Sequence, residues 1–544
     1  MDDPNIIYGG DFENNYYLNL SSIGELILKN LKLGGSKHGF INGQTGESWS
    51  YDEILKFSIK ISQALNNVGV KQNDIISIVA ENCHQYMTVA CGTFLMNAIL
   101  APFNYTYTKR ELKHAFELIN PKIVFVSSST VKNVGSLSKE FSYMKHIITI
   151  DNSEHESAIP LKKFIENYSN ASFDLPQRSI KAIDKEKKTV IIFQSSGTTG
   201  LPKGVEITHM NILSCKQGYN DDFKYLKPYG ENLSNLGIAP WSHVMGFMGS
   251  FFALLSPERV HIFLPKFEGE TYLKCLEKYK VKIIAVPPPI IVFLTKTPLF
   301  DKYDLTNLRV IFSGAAPLAK DVELAAIKRF NNRIIICQGY GMSETTLGVT
   351  GTFVQLKHGS VGKVGYGMYA KVIDSNGKSL GPNKVGELCF KGSRIMKGYF
   401  NNAKATAETI DKDGWLHTGD LGYFDNEHQF FIVDRLKELI KYKAFQVAPA
   451  EIEGLLLSHP KIKDAGVIGI PNNVVGELPF AFVVKLPEVE LTEKEVQDFI
   501  KENASNAKWL RGGVKFVDEI PKNPSGKILR RELREAYKIS RAKL

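Results

Sequence analysis

The sequence predicts a mixed α/β fold: a large N-terminal domain of doubly wound sheets with a β-barrel-like subdomain, followed by a small, mobile α+β C-terminal domain. Three observations support this prediction. Apolar, β-branched runs alternate with stretches of helical period over most of the chain. From residue 361 to 431 the pattern changes to alternation punctuated by glycine, which is typical of antiparallel sheets. The last stretch, of about a hundred residues, has its own order of helices and strands.

The predicted parallel strands end in glycine or proline. They are TVIIFQSSG, KIIAVPPP, LRVIFSGAAP and RIIICQGYG, and a stretch of helical period runs from Asp321 to Phe330 between two of them. Strands that are apolar on both faces and alternate with helices form parallel sheets covered on both sides. Ligands of such sheets bind beyond the carboxyl ends of the strands, so we expect the loops after these strands to meet at one site.

The C-terminal domain is predicted from the order helix, strand, strand, helix, strand, helix. The corresponding segments are EIEGLLL, AGVIGIP, PFAFVVKL, EKEVQDFIKE, VKFVDEIP and GKILRRELREAYK. We place the domain boundary at Asp434 and Arg435, which gives an N-terminal domain of residues 1–434 and a C-terminal domain of residues 435–544.

Composition narrows the function classes. The net charge of +10 arises from 67 basic and 57 acidic side chains spread along the chain, so no nucleic-acid partner is expected. The six cysteines form no CxxC pair and are expected to be free thiols in a reducing compartment. The longest apolar run, Ile283 to Leu294, contains three prolines and is shorter than the roughly 20 residues of a membrane helix. No transmembrane segment is therefore predicted.

Both ends of the chain bear on its destination. The N-terminal MDDPNIIYGG has neither a basic flank nor an apolar core, so no secretory or mitochondrial signal is expected. Ala542, Lys543 and Leu544 resemble the peroxisomal address SKL, with alanine in place of serine. We expect a peroxisomal protein that binds the import receptor through this AKL tail.

A loop rich in glycine and hydroxyl groups follows the strand TVIIFQ. It reads SSGTTGLPKG from residue 195 to 204. Glycines let backbone N–H groups close around a phosphate, the hydroxyl groups add donors, and Lys203 supplies a positive charge. The alternative is a flexible surface loop, but so many donors beside one lysine favour phosphate binding.

Four further motifs follow this loop along the chain: QGYGMSET at 338–345, GWLHTGD at 414–420, DRLKELIKYK at 434–443 and NPSGKILRR at 523–531. Together with the loop at 195–204 they resemble the adenylate-forming superfamily, which includes acyl-CoA synthetases, coumarate-CoA ligases and firefly luciferase. The resemblance extends from about residue 20 to the end of the chain.

The resemblance implies a reaction in two steps. In this family a carboxylate attacks the α-phosphate of ATP, giving an acyl-adenylate and pyrophosphate, and a thiol such as coenzyme A then displaces AMP. The implied partners are therefore a small carboxylic acid, ATP, Mg²⁺ and coenzyme A. Negative charge develops on phosphate oxygens in the first step, so cations and N–H donors must already be in place.

The resemblance also assigns the nucleotide site. Asp420 matches the carboxylate that binds the ribose hydroxyls, Arg435 assists it, and Tyr340 offers a ring face to adenine, although a core role is its alternative. Glu344 matches the magnesium-associated glutamate, whose carboxylate suits a hard cation. The full set of predicted ATP- and AMP-binding residues is Ser195, Ser196, Gly197, Thr198, Thr199, Gly200, Lys203, Gly314, Ala315, Ala316, Gln338, Gly339, Tyr340, Gly341, Met342, Ser343, Asp420 and Arg435.

The candidate catalytic residues are Lys527, Lys441, His243 and Thr345. Lys527 resembles the lysine that contacts the acyl carboxylate and α-phosphate during adenylation. Lys441 resembles a residue that faces the site only for thiol attack. The small domain must then present two faces in turn, and rotation at the domain boundary would achieve this.

The acyl pocket is predicted to include His243, Phe247 and Leu347. The alternative for His243 is a satisfied core histidine, the usual fate of a lone histidine among apolar residues. The resemblance is closest to insect luciferase-like fatty acyl-CoA synthetases. Ala444 stands where most members have glycine, in a loop bordering the coenzyme A channel.

Three functions remain open. The first is an acyl-CoA ligase for a medium- or long-chain fatty acid, whose buried methylenes each contribute about 0.8 kcal/mol. The second is a beetle-type luciferase, a luciferin monooxygenase that shares the adenylation step. The third is a non-catalytic nucleotide-binding relative, which the intact Lys203, Glu344, Asp420, Lys441 and Lys527 disfavour.

Overall fold

The computed structural model describes residues 3–169, 183–195, 202–229, 233–352, 356–443, 445–472, 474–523 and 526–541. Five predicted phosphate-loop residues lie outside this part of the chain, as do Ala444 and the tail Ala542, Lys543 and Leu544. The five are Ser196, Gly197, Thr198, Thr199 and Gly200.

The N-terminal part of the chain alternates strands with helices. Its elements are β1 (Ile7–Tyr8), α1 (Ile23–Gly34), β2 (His38–Asn42), β3 (Ser48–Ser50), α2 (Tyr51–Asn67), β4 (Ile75–Val79), α3 (His84–Leu95), β5 (Ile99–Phe103), α4 (Lys109–Ile119), β6 (Ile123–Val126), α5 (Val131–Ser138), β7 (His146–Thr149), β8 (Ile159–Pro160) and α6 (Leu161–Tyr168). Capping boxes at Ser50 and Thr108 fix the starts of α2 and α4, because each hydroxyl accepts a backbone N–H of the first turn.

The same alternation continues to residue 352. The elements are β9 (Thr189–Ser195), β10 (Lys203–Thr208), α7 (His209–Phe223), β11 (Asn235–Gly237), α8 (Val244–Leu254), β12 (His261–Phe263), α9 (Gly269–Lys278), β13 (Ile283–Val286), α10 (Pro288–Lys296), β14 (Val310–Ser313), α11 (Lys320–Arg329), β15 (Ile335–Gly341) and β16 (Gly348–Gly351). Short 3₁₀ turns cover Lys224–Tyr229, Pro298–Lys302 and Ser343–Thr345.

The next segment is mainly extended. It contains β17 (Lys363–Val364), β18 (Met368–Ile373), β19 (Gly386–Gly392), β20 (Gly398–Tyr399), α12 (Ala403–Thr409), β21 (Leu416–Phe424) and β22 (Phe430–Arg435). Strands β1, β18, β19, β21 and β22 form an antiparallel sheet in that order. This sheet is the subdomain that glycine-punctuated alternation predicted.

Two larger sheets carry the rest of the N-terminal domain. One has eight strands in the order β20-β10-β9-β5-β4-β6-β7-β8, and the other has nine in the order β17-β16-β15-β14-β13-β11-β12-β2-β3. Their central strands are parallel, as the strands' two-sided apolar character predicted. The largest apolar core joins the two sheets, with Phe193 and Ile78 from the first and Phe263 and Phe40 from the second.

The C-terminal part has the predicted order of elements with three additions, two short strands and a 3₁₀ turn. After β23 (Ile440–Tyr442) and β24 (Phe445–Val447), which were not predicted, come α13 (Pro449–Ser458), β25 (Ile462–Asn472), β26 (Gly476–Lys485), α14 (Glu493–Asn503), a 3₁₀ turn (Asn506–Lys508), β27 (Gly513–Phe516) and α15 (Arg530–Arg541). The mixed α/β class with a large N-terminal and a smaller C-terminal domain is therefore confirmed. In the described part of the chain, no helix combines the length and the apolar character needed to cross a membrane.

The C-terminal domain packs against the N-terminal domain beside α10 and α11. Gly454 on α13 approaches Ala319 so closely that an added Cβ would lie 2.7 Å from the Ala319 Cβ. Gly526 has a φ of 83° and packs against Pro287. Lys296, the last residue of α10, donates hydrogen bonds to the carbonyls of Leu457 at 2.8 Å and His459 at 3.1 Å, and also to the carbonyl of Ile462.

Candidate active site

The loops after the parallel strands open into one large cavity. Its volume is about 1170 Å³, and its wall includes residues from both large sheets, the antiparallel sheet and the C-terminal domain. The predicted nucleotide residues that line it are Ser195, Lys203, Gly314, Ala315, Gln338, Gly339, Tyr340, Gly341, Met342, Ser343, Asp420 and Arg435. The tertiary structure thus brings these separate motifs together, as the convergence of strand ends predicted.

Asp420 forms the centre of one corner of the cavity. The Tyr340 hydroxyl, at the end of β15, donates to Asp420 Oδ2 at 2.6 Å. The Arg435 Nε lies 3.3 Å from Asp420 Oδ1 because Asp420 on β21 and Arg435 on β22 are registered partners. The carboxylate is thus fixed from two sides and can accept hydrogen bonds from a diol such as ribose.

The preceding turn is also held in place. The Gly419 N–H donates to Glu387 Oε1 at 2.9 Å, and Gly419 has a φ of 69°, which favours glycine at this point. No motif in the sequence selects Glu387. Its position on β19, beside β21, becomes meaningful only when the two strands are paired.

Lys203 and Glu344 form a second corner. Ser195 and Lys203 are registered partners on the antiparallel strands β9 and β10, so both ends of the glycine-rich loop reach the cavity. The Tyr399 hydroxyl donates to Glu344 Oε1 at 2.8 Å, and the Lys203 ammonium lies 4.6 Å from the centre of the Tyr399 ring. Tyr399 therefore connects the predicted phosphate lysine with the predicted metal glutamate.

The surroundings of Glu344 suit a bound cation. Glu344 is buried on the cavity wall, and burial raises its pKa although Tyr399, Arg435 and Lys203 oppose that effect. A divalent cation at the carboxylate would relieve the cost of burying the charge, and oxygen is the ligand that Mg²⁺ prefers. The residues present are thus compatible with the predicted magnesium site.

His243 and Lys527 both line the cavity, and the Lys527 charge acts on His243. Burial and the Lys527 ammonium lower the pKa of His243 to about 4, so the imidazole is neutral. The His243 Nδ1 accepts the Met245 N–H at 3.4 Å, which leaves the proton on Nε2. Burial and Arg435 lower the pKa of Lys527 to about 8, opposed by Asp420 and Glu438. An imidazole N–H and an ammonium thus line the same cavity.

Lys441 lies elsewhere. It is exposed on β23, and it is not among the residues that line the cavity, whereas Lys527 is. The structure therefore holds the arrangement in which the predicted adenylation lysine faces the site. The second predicted arrangement, in which Lys441 faces the site, remains a prediction.

Three further predicted site residues that the structure describes do not line the cavity. Thr345 is fully buried and does not line the cavity, because its hydroxyl closes the turn by donating to the Met342 and Leu347 carbonyls. Ala316 also lies outside the cavity wall, which takes only Gly314 and Ala315 from that loop.

Phe247 is the third. It packs in the apolar core against Phe94 and Phe193 rather than against the cavity. Met245 and Gly249, one turn apart on α8, form the cavity wall, and a residue midway between them points to the opposite side of the helix. The sequence period could not reveal which side of α8 faces the cavity, because α8 is apolar all round.

The remaining wall mixes apolar and polar groups. Leu347 lines it as predicted, together with Val244 and Val349, and Gly249 leaves open space where a side chain would stand. A buried hydrogen-bonded group, absent from the sequence predictions, also reaches this wall: His261 Nδ1 lies 3.0 Å from Asn235 Oδ1, and His261 Nε2 lies 3.1 Å from Ser250 Oγ. Burial lowers the pKa of His261 to about 3, so this group is neutral.

One further group of potential metal ligands lies near Asp420. Donor atoms of Glu387, Cys389 and His417 lie within 4.8 Å of one another. Burial raises the pKa of the Cys389 thiol to about 12, and His417 is already hydrogen-bonded to Glu387 and Asp411. These side chains satisfy one another.

Comparison with known proteins identifies the architecture. The model of the AMP-binding enzyme family matches residues 34–400, and that of the AMP-binding enzyme C-terminal domain matches residues 451–527. The chain belongs to this adenylate-forming family. The resemblance that the five motifs carry is thereby confirmed.

The relatives of this adenylate-forming enzyme differ from one another in the activity that their names give. It is 39% identical over 550 residues to luciferin 4-monooxygenase of Photuris pensylvanica, with 100% of both chains covered. It is 38% identical over 529 residues to probable 4-coumarate–CoA ligase 1 of Dictyostelium discoideum, with 94% of each covered. The crystal structure of ATP-bound MatB from Rhodopseudomonas palustris matches with a TM-score of 0.83 at 25% identity, over 95% of this chain and 99% of that one.

Proposed function

We propose that this adenylate-forming enzyme is an ATP-dependent acyl-CoA ligase that activates a medium- or long-chain fatty acid through an acyl-AMP intermediate. The observation that carries the proposal is the convergence of Lys527 and His243 on the cavity that also holds the Tyr340–Asp420–Arg435 corner. Leu347 and its apolar neighbours on the wall would contact an alkyl chain.

In the adenylation step, the acid's carboxylate oxygen bonds to the α-phosphorus of ATP and the bond to pyrophosphate breaks. Asp420, already oriented by Tyr340 and Arg435, would hold the ribose. The Lys527 ammonium would neutralise charge on the carboxylate and α-phosphate, and neutral His243 would offer its Nε2–H. Because these donors are fixed before reaction, they cost little reorganisation in the transition state.

Bound Mg²⁺ would supply positive charge to the phosphate oxygens, and Glu344 is the residue proposed to hold it. Lys203 would add a second cation from the other side of Tyr399. Ser195 and the loop that follows it would contribute hydroxyl and backbone donors to the phosphates.

The second step transfers the acyl group from AMP to the thiol of coenzyme A. The thiol sulfur bonds to the acyl carbon while the bond to AMP breaks. Lys441 is proposed to reach the site for this step after the C-terminal domain rotates at Asp434 and Arg435. The Asp434 carboxylate accepts the Ala450 N–H at 3.0 Å in the first turn of α13, so the proposed hinge is directly connected to a helix of the domain that rotates.

A second candidate function is a luciferin monooxygenase. The full-length similarity to luciferin 4-monooxygenases favours it, and it would use the same adenylation residues. The two candidates differ after adenylation, because a ligase transfers the acyl group to coenzyme A whereas a luciferase oxidises its adenylate and emits light.

The discriminating experiment measures AMP and pyrophosphate formation with fatty acids of several chain lengths and with firefly luciferin, each with and without coenzyme A. We expect acid-dependent pyrophosphate release and acyl-CoA formation with fatty acids, and little light. Strong light with luciferin and no turnover of fatty acids would establish the second candidate instead. Pyrophosphate release with no acid would contradict both.

We also propose the peroxisome as the location, on the resemblance of Ala542, Lys543 and Leu544 to a peroxisomal address. A fluorescently tagged chain should enter peroxisomes and should stay outside after deletion of these three residues, with catalysis unchanged. Equal distribution of both chains would contradict the proposal.

A further inference from the structure

An arginine that the motifs do not include lies on the wall of the cavity. Arg394 is only 5% exposed and follows β19 in the segment GSRIMKGY. Its Nη1 donates to the Gly348 carbonyl at 3.0 Å and its Nη2 to the Tyr366 carbonyl at 3.5 Å, while its backbone carbonyl accepts the Thr346 hydroxyl at 2.7 Å. The guanidinium is therefore attached to the segment that carries Leu347, on the acyl side of the cavity.

The surrounding chain makes room for this guanidinium. A Cβ added to Gly218 on α7 would lie 1.8 Å from Nη2, and one added to Gly365 would lie 2.9 Å from Nη1. Any side chain at Gly218 would displace the guanidinium. Two separate glycines thus leave the space that the Arg394 guanidinium occupies.

Arg394 has hydrogen-bonding capacity left over. Its Nε is buried and has no hydrogen-bond partner among the described residues. No carboxylate of these residues lies within ion-pair distance of the guanidinium. A buried charge with unused donors costs free energy unless a ligand or solvent group satisfies them.

An acceptor lies on the same side of the cavity. Asp222, on α7, also lines the cavity. Burial raises the pKa of Asp222 to about 7, although the nearby Arg394 charge opposes this effect. The Asp222 backbone carbonyl accepts the Lys224 N–H, but among the described residues its carboxylate has no hydrogen-bond partner. The hydroxyls of Tyr225 and Tyr366, 3.3 Å apart, complete this polar wall.

A hydroxyl group matches the hydrogen-bonding capacity of these two residues better than the alternatives. It can accept a hydrogen bond from the guanidinium and donate one to the carboxylate. A methyl end would leave both groups desolvated and unpaired. A carboxylate end would suit Arg394 but would approach Asp222 and the neighbouring Asp221, which are like charges when ionised.

We propose that the acid activated by this enzyme carries a hydroxyl group at the end of its chain remote from the carboxylate, bound between Arg394 and Asp222. This inference rests on the proposed ligase function and specifies its substrate class: ω-hydroxy fatty acids rather than unsubstituted ones. Arg394 is then a specificity residue, while adenylation remains the work of Lys527, His243 and Asp420.

The test compares matched acids. Octanoic, decanoic and dodecanoic acids, their ω-hydroxy counterparts and decanedioic acid are assayed for kcat/KM of acid-dependent pyrophosphate release. At the chain length that fits, we expect the ω-hydroxy acid to exceed its unsubstituted partner by about tenfold or more, since a site built for a hydroxyl rejects the analogue lacking it. Arg394→Met should remove this preference, mainly by raising the activity on unsubstituted acids relative to hydroxy acids.

Controls separate specificity from damage to the fold. Arg531→Met removes an exposed arginine of α15 and should leave the ratio between matched acids unchanged. Asp222→Asn keeps the shape of the side chain and should reduce the preference in part. If Arg394→Met does not fold, the wild-type ratios and Asp222→Asn still decide.

Equal efficiency for matched acids at all three lengths, or a preference that persists in both Arg394→Met and Asp222→Asn, would overturn the inference and leave the ligase function standing. Highest activity on decanedioic acid would also overturn it, because the wall would then recognise an anion. Failure of every aliphatic acid to release pyrophosphate would remove the proposed function and this inference with it.

Discussion

The contact between Lys296 and the C-terminal domain offers a way to shift the enzyme between the two proposed half-reactions. The ammonium donates to three carbonyls around the end of α13 and the start of β25: those of Leu457, His459 and Ile462. A cation at the C-terminal end of a helix is also favoured by the helix dipole. This contact exists in the arrangement that places Lys527 in the cavity, so it should stabilise that arrangement selectively.

The magnitude follows from the contacts. A hydrogen bond from a charged group contributes about 1.5–3 kcal/mol. Partial burial of the ammonium, which lowers the pKa of Lys296 to about 8, offsets much of this gain. We estimate a net contribution on the order of 1–2 kcal/mol, which corresponds to about a five- to thirtyfold change in the population of the docked arrangement.

Lys296→Met keeps the aliphatic stem and removes the ammonium. We expect the docked arrangement to become the minor one, so that ATP–pyrophosphate exchange falls by up to about five- to thirtyfold. Conversion of supplied acyl-AMP and coenzyme A into acyl-CoA should be unchanged or faster. Lys274→Met, an exposed lysine on α9, is the matched control. Equal losses in both half-reactions, or none in either, would refute this reasoning.

Three further predictions concern single side chains. Lys527→Ala should reduce adenylation by about a hundredfold or more yet spare thioester formation from acyl-AMP, and Lys441→Ala should do the reverse. Wild-type adenylation should decline above pH 8, because the Lys527 ammonium then loses its proton. Assays of each half-reaction on each variant check these expectations, and parallel losses in the two half-reactions would count against them. Burial lowers the pKa of Lys216 to about 7 from 10.5, so the folded state should become more stable as pH rises from about 7 to 10.5. Lys216→Met should therefore raise the free energy of unfolding, measured by urea denaturation, by about 1–4 kcal/mol at pH 6 and by less at pH 10. Leu347→Ser should weaken fatty-acid adenylation by about 1–3 kcal/mol and increase any light from luciferin, whereas unchanged kinetics would show that Leu347 does not contact the acid.

Local patterns in the sequence were enough to select most residues of the predicted nucleotide site. Backbone N–H groups, hydroxyls and a lysine in one short loop have phosphate-binding chemistry wherever the fold places them, and strands apolar on both faces must lie in a covered sheet. Lys203 could therefore be selected from its loop, whereas Tyr340 and Asp420 were selected from motifs that resemble those of the family, and all three line the cavity. The order of elements in the C-terminal domain followed from periodicity in the same way.

The acyl side of the cavity depended on tertiary structure. Helix α8 is apolar all round, so only its packing decides that Gly249 faces the cavity and Phe247 the core. Arg394 and Asp222 belong to distant segments, and neither stands in a pattern that indicates a ligand. Side chains within one motif share a local geometry that the sequence encodes directly. A pocket wall formed by a helix and by a segment far from it in sequence exists only after long-range packing brings the two together.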